Sequence, residues 1–491
     1  MPERLIGPDD FAEGNPPRIT GFEIEYDTQH LDERYKREKE RSDITHDQRL
    51  LLPNAFKGAG IIAHDLKAKT FTRWIANGGK IHLDVGRVEH SSGEFDNAYS
   101  MAAGKVASTR LIADLCSVIP GAQAYLHAGT SMNNEEGDNR TRTLGAHDNH
   151  QLPRATALAK AEVMPGLLDS FDATRIWSWG GMVGPDGYEL SQKALGVGGP
   201  TLPRMGIRTR EKDKSMGWIH VGDQQSIHSD IDSPDWVRSE RRVRDILFSR
   251  VATFIGDGMD SAILRILEHS GVLPKIKYPL SKLIFHDPVN VLRRTSHDLT
   301  MQQTYRTTYD DNITALNMQE RVNDYLCAIN KEIPLPDDES EALKLHRTVC
   351  ERLAKSNVIE GDLQPILGWV DFAPRLAFLL RKHDLFHINT HENKVVQRSI
   401  KWGSLVPKGP GHTYWQHLYD TKQAPDPIGE PLIEYCKEYP STGTRAAVRG
   451  RIVRDPTLRS RITYMGWEKV VLNGNVLYLN PYQSDHEDLH A

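Results

Sequence analysis

The segment RITGFEIEYDTQH near the start of the chain constrains the fold most, because its acidic and apolar residues alternate. Successive side chains of a β-strand point to opposite faces, so Glu23 and Glu25 would share one face while Phe22, Ile24 and Tyr26 share the other. Neighbouring carboxylates repel each other unless a cation lies between them. The segment therefore predicts a strand with an apolar back and an acidic face, which is either solvated or part of a divalent-cation site.

The composition predicts a folded protein without a general surface for nucleic acid. The 491 residues allow about three domains, and the net charge of -5 gives no electrostatic reason to expect nucleic-acid binding. No apolar run approaches the roughly 18 to 20 residues of a membrane span, and the N-terminal segment has no hydrophobic signal region. The four cysteines form no C-x-x-C pair, which argues against a zinc module or a disulfide framework. We expect a cytoplasmic protein with no membrane or nucleic-acid partner.

Helical and strand-like segments are mixed along the chain without regular alternation, which indicates an α+β fold rather than a doubly wound parallel sheet. Short strand-like pieces include GKIHLDVG, AYLHAG, GYELSQ, GWIHVGD and KVVLNGNVLYL. The first 20 residues resemble an extended arm, and the charged residues 32–50 indicate a loop or an exposed helix. Apolar periodicity predicts helices over 97–118, over 236–271 with a break near Gly256 and Gly258, and over 315–330, 339–355 and 373–383.

A second group of acids follows the strand-like segment GKIHLDVG. In it Asp84, Glu89 and Glu94 recur at intervals of five residues. If this strand lies beside the one that carries Glu23 and Glu25, several carboxylates converge on one surface. Mg²⁺ binds oxygen ligands through few carboxylates and keeps positions for substrate phosphates. The two segments together leave a magnesium site and separate solvated acids as two open interpretations.

The segment TLGAHDNHQLPR adds His147 and Asn149, which we expect in a loop. Such residues can supply a metal ligand or a hydrogen bond to phosphate, and an ordinary polar loop is the alternative. The basic cluster RSERRVRD, whose arginines could also serve a phosphate, is expected to form a solvated helix face.

Two arginine pairs are further candidates for phosphate binding. Arg208 and Arg210 lie in IRTRE, and Arg445 and Arg449 are spaced to share one helix face. Surface salt bridges are the alternative for both pairs. The chain has no P-loop and no G-x-G-x-x-G after a strand, so a nucleotide would be bound through metal ions and arginines.

Taken in order, these motifs resemble the family of Pup ligases and Pup deamidases (depupylases), whose fold is similar to glutamine synthetase and the carboxylate-amine ligases. The resemblance extends from about residue 21 to residue 472. It rests on GFEIEY, NGGKIHLDVG, GAHDNH, YELSQK, IRTRE, HVGD, FHDPVNVLRRTSHDLT and TRAAVRG with GW after it. Departures include VEH where the family has P-E-Y, HDN where it has H-E-N, and Trp218 where it often has histidine.

The resemblance implies an architecture and a cofactor. It implies a large α+β catalytic domain over residues 21–412, with a cradle-shaped antiparallel sheet, after an arm of residues 1–20. A small C-terminal domain over 413–491 would close over the nucleotide, after a hinge at PKGPGH. ATP and Mg²⁺ are the implied cofactors.

The resemblance also implies roles for individual residues. Asp84 would be the catalytic aspartate, a base in a ligase and the nucleophile or water activator in a depupylase. Arg210 would lie near the transferred phosphate. The implied metal ligands are Glu23, Glu25, Glu89 and His147. The implied nucleotide-binding residues are Asn149, Arg208, Arg445, Arg449 and Trp467, the last as the side chain that stacks on adenine.

The implied activity is an ATP-dependent ligase that phosphorylates the C-terminal glutamate of a Pup-like tag and joins it to a lysine of a protein substrate. LDVG matches the ligase form, and the distance of 59 residues from Glu25 to Asp84 leaves no room for the long loop typical of depupylases. The spacing of Asp84, Glu89 and Glu94 fits a depupylase or deamidase better. A paralogue with another tag, a small-molecule glutamate-amine ligase and a non-catalytic ATP- or tag-binding protein remain as alternatives.

Overall fold

The computed structural model describes most of the chain, and everything below concerns that part. The described residues are 17–30, 55–65, 72–84, 87–126, 129–130, 142–143, 145–153, 164–184, 187–194, 219–220, 236–241, 243–268, 282–309, 311–380, 393–480 and 482. The charged segment 32–50 lies outside them, as do residues 1–16 of the predicted arm. The end of that arm is buried: Arg18 lies against Glu268 with a 2.6 Å contact, and Thr20 begins the first strand.

A ten-stranded antiparallel sheet is the largest element. The strands of the described residues are β1 (Thr20–His30), β2 (Ala63–Asp65), β3 (Thr72–Ile75), β4 (Lys80–Asp84), β5 (Arg87–Ser91), β6 (Ala122–Tyr125), β7 (Gly129–Thr130), β8 (Arg142–Thr143), β9 (Ala146–Pro153), β10 (Met182–Gly184), β11 (Gly187–Glu189), β12 (Ile219–His220), β13 (Trp236–Arg241), β14 (Thr304–Arg306), β15 (Asn312–Thr314), β16 (Ser404–Val406), β17 (Ile462–Met465), β18 (Lys469–Leu472) and β19 (Asn475–Tyr478). The central path of the large sheet runs β12-β13-β9-β1-β5-β4-β3-β2, with β6 joined to β1 and β16 joined to β6. The remaining strands form small antiparallel sheets. This arrangement confirms the predicted α+β class.

Helices cover one face of the sheet and build a second core beside it. They are α1 (Ala98–Ser117), α2 (Met164–Asp172), α3 (Arg250–Glu268), α4 (Pro288–His297), α5 (Ala315–Asn330), α6 (Asp337–Lys355), α7 (Phe372–Leu380), α8 (Asn393–Trp402), α9 (Pro410–Asp420), α10 (Gly429–Glu438), α11 (Arg445–Arg454) and α12 (Pro456–Ser460), with a 3₁₀ turn at Ile176–Ser178. No helix among the described residues is both long enough and apolar enough to cross a membrane.

The alternation in β1 produces the two faces of the sheet. Phe22, Ile24 and Tyr26 are buried in one apolar cluster with helix α1, so this face is the helix-packed back of the sheet. Helix α1 begins at the cap residue Asn97, whose side chain accepts a hydrogen bond from the Ser100 backbone N–H at 2.8 Å. The opposite face of the sheet carries the polar residues of the strands.

The predicted helices are confirmed where their apolar periodicity is strong. The helix predicted over 97–118 is α1, and those predicted over 315–330 and 339–355 are α5 and α6. The helix predicted over 373–383 is α7, which spans Phe372–Leu380.

The helix predicted over 236–271 is wrong in its first part. Residues 236–241 form strand β13, and helix α3 begins at Arg250. The predicted break is also absent, because α3 continues through Gly256 and Gly258. A side chain at Gly258 would place its Cβ 2.3 Å from that of Ala342, so this glycine permits close packing of α6.

The C-terminal residues form a small unit with its own apolar core. Helix α11 and the sheet β17-β18-β19 pack around Val448, Ile452 and Trp467, together with Trp74 of the large sheet. Helix α10, in contrast, contributes Ile433 and Cys436 to the core behind the large sheet. The domain boundary at residue 412 stays a prediction.

A buried ion pair fastens the C-terminal unit to the large sheet. Glu94 is fully buried, receives Nε of Arg445 at 2.8 Å and also binds NH2 of Arg449. Burial by itself would raise the pKa of Glu94, but the two guanidinium groups hold that pKa below its ordinary value. Glu94 is therefore an anion that bridges two parts of the chain.

We predict that E94Q loosens the C-terminal unit, because both buried guanidinium groups lose their counter-charge. Removing one partner of a buried ion pair costs about 3–5 kcal/mol of stability. Amide hydrogen exchange should therefore become faster first in residues 445–480. E351Q, at an exposed position of helix α6, is the control and should change stability by at most about 0.5 kcal/mol. Unchanged exchange in E94Q would refute the bridging role.

The buried His346 links helices α5 and α6 in its neutral form. Its Nδ1 accepts a hydrogen bond from Asn323 Nδ2 at 3.0 Å, and its Nε2 donates to Gln319 Oε1 at 3.1 Å. Burial lowers the pKa of His346 to about 3, and Arg175 and Arg347 add to this effect.

We predict a measurable contribution of His346 to the pH dependence of stability. Below its ordinary pKa of 6.5 the unfolded chain binds a proton that the folded chain does not bind until about pH 3. The free energy of unfolding should therefore fall with decreasing pH by up to about 1.4 kcal/mol per pH unit. In urea titrations between pH 6.5 and 5, the free energy of unfolding of H346Q should fall by about 2 kcal/mol less than that of the wild type. H417Q, at an exposed position, is the matched control, and equal slopes for H346Q and wild type would contradict the prediction.

Candidate active site

The polar face of the large sheet gathers acidic residues from neighbouring strands. Glu23 of β1 pairs with His147 of β9, and Glu240 of β13 pairs with Asn149 of β9. On the other side of β1, Glu25 pairs with Glu89 of β5. Directly opposite residues of antiparallel strands point to the same face, so these side chains form one row across the sheet.

Three of these residues bring donor atoms to one point. Single ligand atoms of Glu23, His147 and Glu240 all lie within 4.8 Å of one another. His147 Nδ1 is 3.4 Å from a Glu23 oxygen and 3.1 Å from a Glu240 oxygen. Both carboxylates are 3% exposed. Two carboxylates and an imidazole on a buried surface are a donor set that suits a divalent cation.

Arg238 balances part of this negative charge. Its NH1 lies 3.3 Å from Glu23 and its NH2 lies 3.2 Å from Glu240. Arg238 and Glu240 are two residues apart on β13, so both side chains project from the same face. The guanidinium therefore lies beside the donor cluster, where a phosphate group could also be bound.

Glu25 and Glu89 form a second part of the acidic row. Glu25 accepts a hydrogen bond from the Gly145 backbone N–H at 2.8 Å. Glu89 Oε1 accepts from Ser91 Oγ at 3.1 Å and lies 3.3 Å from His82 Nε2. Burial lowers the pKa of His82 to about 3, with Lys80 and His90 contributing, so His82 is a neutral donor to Glu89.

Asp84 and Asn149 lie on the strands that carry this row. Asp84 is the last residue of β4, two positions after His82, and its backbone pairs with Arg87. Asn149 is 1% exposed, and its Oδ1 has no hydrogen-bond partner among the described residues. A buried amide oxygen without a partner indicates a position that a bound metal, water or ligand would complete.

The C-terminal candidates lie at the far end of the same face. Arg445 and Arg449 bind Glu94, and Arg449 also donates to the Gly78 and Trp467 carbonyl oxygens at 3.0 and 2.9 Å. Trp467 is 6% exposed.

The Trp467 ring is enclosed on several sides. Arg449 lies 4.9 Å from its centroid, Lys80 Nζ lies 5.5 Å from it, and Trp74 packs edge-on at 4.9 Å. An adenine could stack on this ring only after a neighbouring side chain moves. The roles of Arg445, Arg449 and Trp467 towards a nucleotide stay predictions, while Arg208 and Arg210 lie outside the described residues.

The sequence interpretation missed two residues of the site. Glu240 and Arg238 were assigned to a solvated helix face, but both are 3% exposed on strand β13. His147 and Asn149 were assigned to a loop, but they lie on strand β9. The alternation of Arg238 and Glu240 in the run WVRSER was the available signal, because residues two apart share a strand face.

Comparison with known proteins gives consistent matches over most of the chain. The family model for the Pup-ligase protein matches residues 18–471. A Pup–protein ligase of Acidimicrobium ferrooxidans is 23% identical over 441 residues, covering 84% of this chain and 87% of the relative. A depupylase of Acidothermus cellulolyticus is 22% identical, covering 81% of this chain and 75% of the relative.

Two solved structures share the fold. The ligase PafA in its complex with the prokaryotic ubiquitin-like protein Pup superimposes with a TM-score of 0.72 and 17% identity, covering 96% of this chain and 91% of that one. PafA in complex with ADP gives a TM-score of 0.66 and 17% identity, covering 90% and 91%. Because the family model matches nearly the whole chain, this protein belongs to the Pup-ligase protein family.

Proposed function

We propose that this protein is an ATP- and Mg²⁺-dependent ligase that joins the C-terminal glutamate of a Pup-like tag to a lysine of a protein substrate. The observation that carries the proposal is the convergence of Glu23, His147 and Glu240 within 4.8 Å on the polar sheet face. Membership of the Pup-ligase family supports the choice of substrate, and the ADP complex of the related PafA supports nucleotide use.

Glu23, His147 and Glu240 would hold the metal ion. Two carboxylate oxygens fit the preference of Mg²⁺ for oxygen ligands, and the unpartnered Oδ1 of Asn149 lies on the same face. When bound, the metal would neutralise charge on the transferred phosphoryl group. Glu25 and Glu89 extend the acidic row, and we propose that they hold a second ion or the waters around the first.

Arginines would bind the phosphate oxygens. Arg238 already lies 3.3 Å from Glu23, so its guanidinium group is within reach of a phosphate bound beside the donor cluster. Arg210 is the further candidate for the transferred phosphate, and Arg208 for the nucleotide, both on the ground of the family resemblance.

The C-terminal unit would border the nucleotide. We propose that Lys80 and Trp467 line that end of the site, since Lys80 Nζ lies 5.5 Å from the Trp467 ring. Arg445 and Arg449 would act by holding the unit in place through Glu94.

The reaction needs two steps on the tag carboxylate. A carboxylate oxygen first attacks the γ-phosphorus of ATP, which gives an acyl phosphate and ADP. The lysine ε-amine then attacks the acyl carbon, inorganic phosphate leaves, and an isopeptide bond forms. The amine must lose a proton to attack, and we assign Asp84 as the base that accepts it.

Hydrolysis is the second candidate function. With water in place of lysine, the same site would deamidate a C-terminal glutamine or release the tag from a conjugate. The similarity to the Acidothermus depupylase and the spacing of Asp84, Glu89 and Glu94 favour this alternative.

We predict that E240Q abolishes most metal-dependent turnover, because it removes one anionic donor from the cluster. ADP formation at fixed Mg²⁺ should fall about 100-fold or more. E351Q, at an exposed position on helix α6, should keep the wild-type rate. A rate for E240Q within about twofold of wild type would exclude Glu240 from the site.

The direction of the reaction is tested by intact-mass measurement with ATP and Mg²⁺. A Pup-like tag ending in Glu and a lysine-bearing acceptor should give an adduct one water lighter than its parts. D84N should reduce its yield about 100-fold or more, whereas D420N, at an exposed position, should not.

A parallel arm uses the tag ending in Gln and a preformed conjugate. A gain of about one dalton on the Gln tag, or release of free tag, would move the assignment to the depupylase, by the general mass balance of amide hydrolysis. No ADP formation in either arm would overturn the proposed function.

A further inference from the structure

A group of buried charges lies on the helix-packed back of the sheet, behind the candidate site. We call it the back-face charge cluster, and it consists of Lys105, Asp148, Arg244, Asp257 and Asp260. Lys105 Nζ lies 2.7 Å from Asp148 Oδ1 and 2.5 Å from Asp257 Oδ1. Arg244 Nε lies 3.0 Å from the second oxygen of Asp148, and Arg244 also pairs with Asp260. Two cations thus tie strand β9 to helix α3.

These charges are too deeply buried to be explained by stability alone. Asp148, Asp257 and Asp260 are 2%, 1% and 0% exposed. Replacing buried ion pairs by apolar residues is often neutral or stabilising, whereas fixing one arrangement of the chain is their better-attested role. Burial would lower the pKa of Lys105, but Asp148 and Asp257 raise it above its ordinary value, so the bridging cation keeps its charge.

The cluster lies directly behind the metal-donor residues. Asp148 is flanked on β9 by His147 and Asn149, which lie in the polar row, so Asp148 projects to the other face. The same pattern recurs on β13, where Arg241 follows Glu240. The Arg241 guanidinium is held by Asp172 of helix α2, with contacts of 2.6 and 3.0 Å.

Strand β1 needs no such anchor, because its back residues are apolar and packed against α1. The position of His147 relative to Glu23 depends on how β9 lies beside β1. Metal sites require donors to be held within about 0.5 Å of their working positions. A charge anchor behind β9 restricts both the twist and the sliding of that strand.

We infer that the back-face charge cluster positions His147 for metal binding, with Lys105 as the positioning residue that links β9 to helices α1 and α3. The inference rests on the proposed function, in which His147, Glu23 and Glu240 bind the metal. Lys105 touches neither substrate nor metal and acts through Asp148.

A cavity beside the cluster gives the strand room to move when the anchor is lost. Its volume is about 40 Å³, and Lys105, Asp148, Arg175, Arg244 and Asp257 line it. At about 10–15 Å³ per water, it holds about three waters. Asp257 Oδ2 and Arg175 NH2 are buried without a hydrogen-bond partner among the described residues, and such waters would satisfy them. Without the Lys105 bridge, Asp148 would be solvated from this cavity and would be tied to α3 through Arg244 alone.

The experiment measures Mn²⁺ binding to the full chain by electron paramagnetic resonance, with Mn²⁺ standing in for Mg²⁺. K105M removes the bridging charge and keeps a side chain of similar length. It should weaken Mn²⁺ binding about tenfold, which is the usual effect of losing a group that supports a metal ligand. K105R keeps the charge and should restore the affinity to within about threefold of wild type.

The control for general destabilisation is R265M. Arg265 lies on the same helix α3, five residues beyond Asp260, and forms a buried pair with Glu339 at 2.7 Å that is separate from the cluster. R265M should lower the melting temperature but leave Mn²⁺ affinity unchanged. If K105M does not fold, D257N removes only one end of the bridge and should weaken Mn²⁺ binding about threefold, less than the full loss of a supporting group, because Lys105 keeps its contact with Asp148.

Wild-type Mn²⁺ affinity in K105M or D257N would overturn the inference, and so would an equal loss of affinity in R265M. If the wild type binds no Mn²⁺, the inference falls together with the metal site. If the wild type binds Mn²⁺ but forms no adduct and releases no tag, the proposed function fails. The comparison of Mn²⁺ affinity between K105M and wild type still tests whether Lys105 positions the metal ligands.

Discussion

The repulsion among carboxylates on one buried sheet face is the constraint on which the rest of the structure depends. Glu23, Glu89 and Glu240 are each 3% exposed or less, so water screens them little. Arg238 supplies a positive charge on the same face, between Glu23 and Glu240. In the proposed function, the carboxylates of this row bind a cation. The apolar packing of α1 behind β1 offsets this repulsion, because it stabilises the strand that carries Glu23 and Glu25.

The sequence predicted correctly those elements in which apolar residues repeat with a single clear period. Strand β1 alternates acidic and apolar residues, and helices α1 and α5 repeat apolar residues at helical spacing. Strands β9 and β13 carry polar or charged residues on both faces, since Asp148 and Arg241 on their backs form ion pairs beside apolar residues such as Leu152. Their sequences therefore show no contrast between the faces, and the helix and loop predictions there failed.

The candidate site was only partly predictable for a related reason. Glu23 and His147 could be proposed from local motifs, and both contribute to the donor cluster. Glu240 was missed, because its place in the site depends on the pairing of β13 with β9, more than 80 residues away in the chain. Strand register is a property of the folded sheet, and no single segment contains it. The family resemblance supplied roles for residues, but it did not reveal that Arg445 and Arg449 are occupied by Glu94.

The pairing of Glu94 with Arg445 and Arg449 has a consequence for the order in which the chain can fold during synthesis. These partners are separated by 351 and 355 residues, so Glu94 leaves the ribosome long before either arginine exists. Until then β5 ends next to a carboxylate that favours water over the interior, which opposes closure of that edge of the sheet. The C-terminal unit thus packs against this end of the sheet late, when the last residues of the chain emerge. A nascent chain that stalls before residue 445 would leave Glu94 without its two cations and keep this edge hydrated.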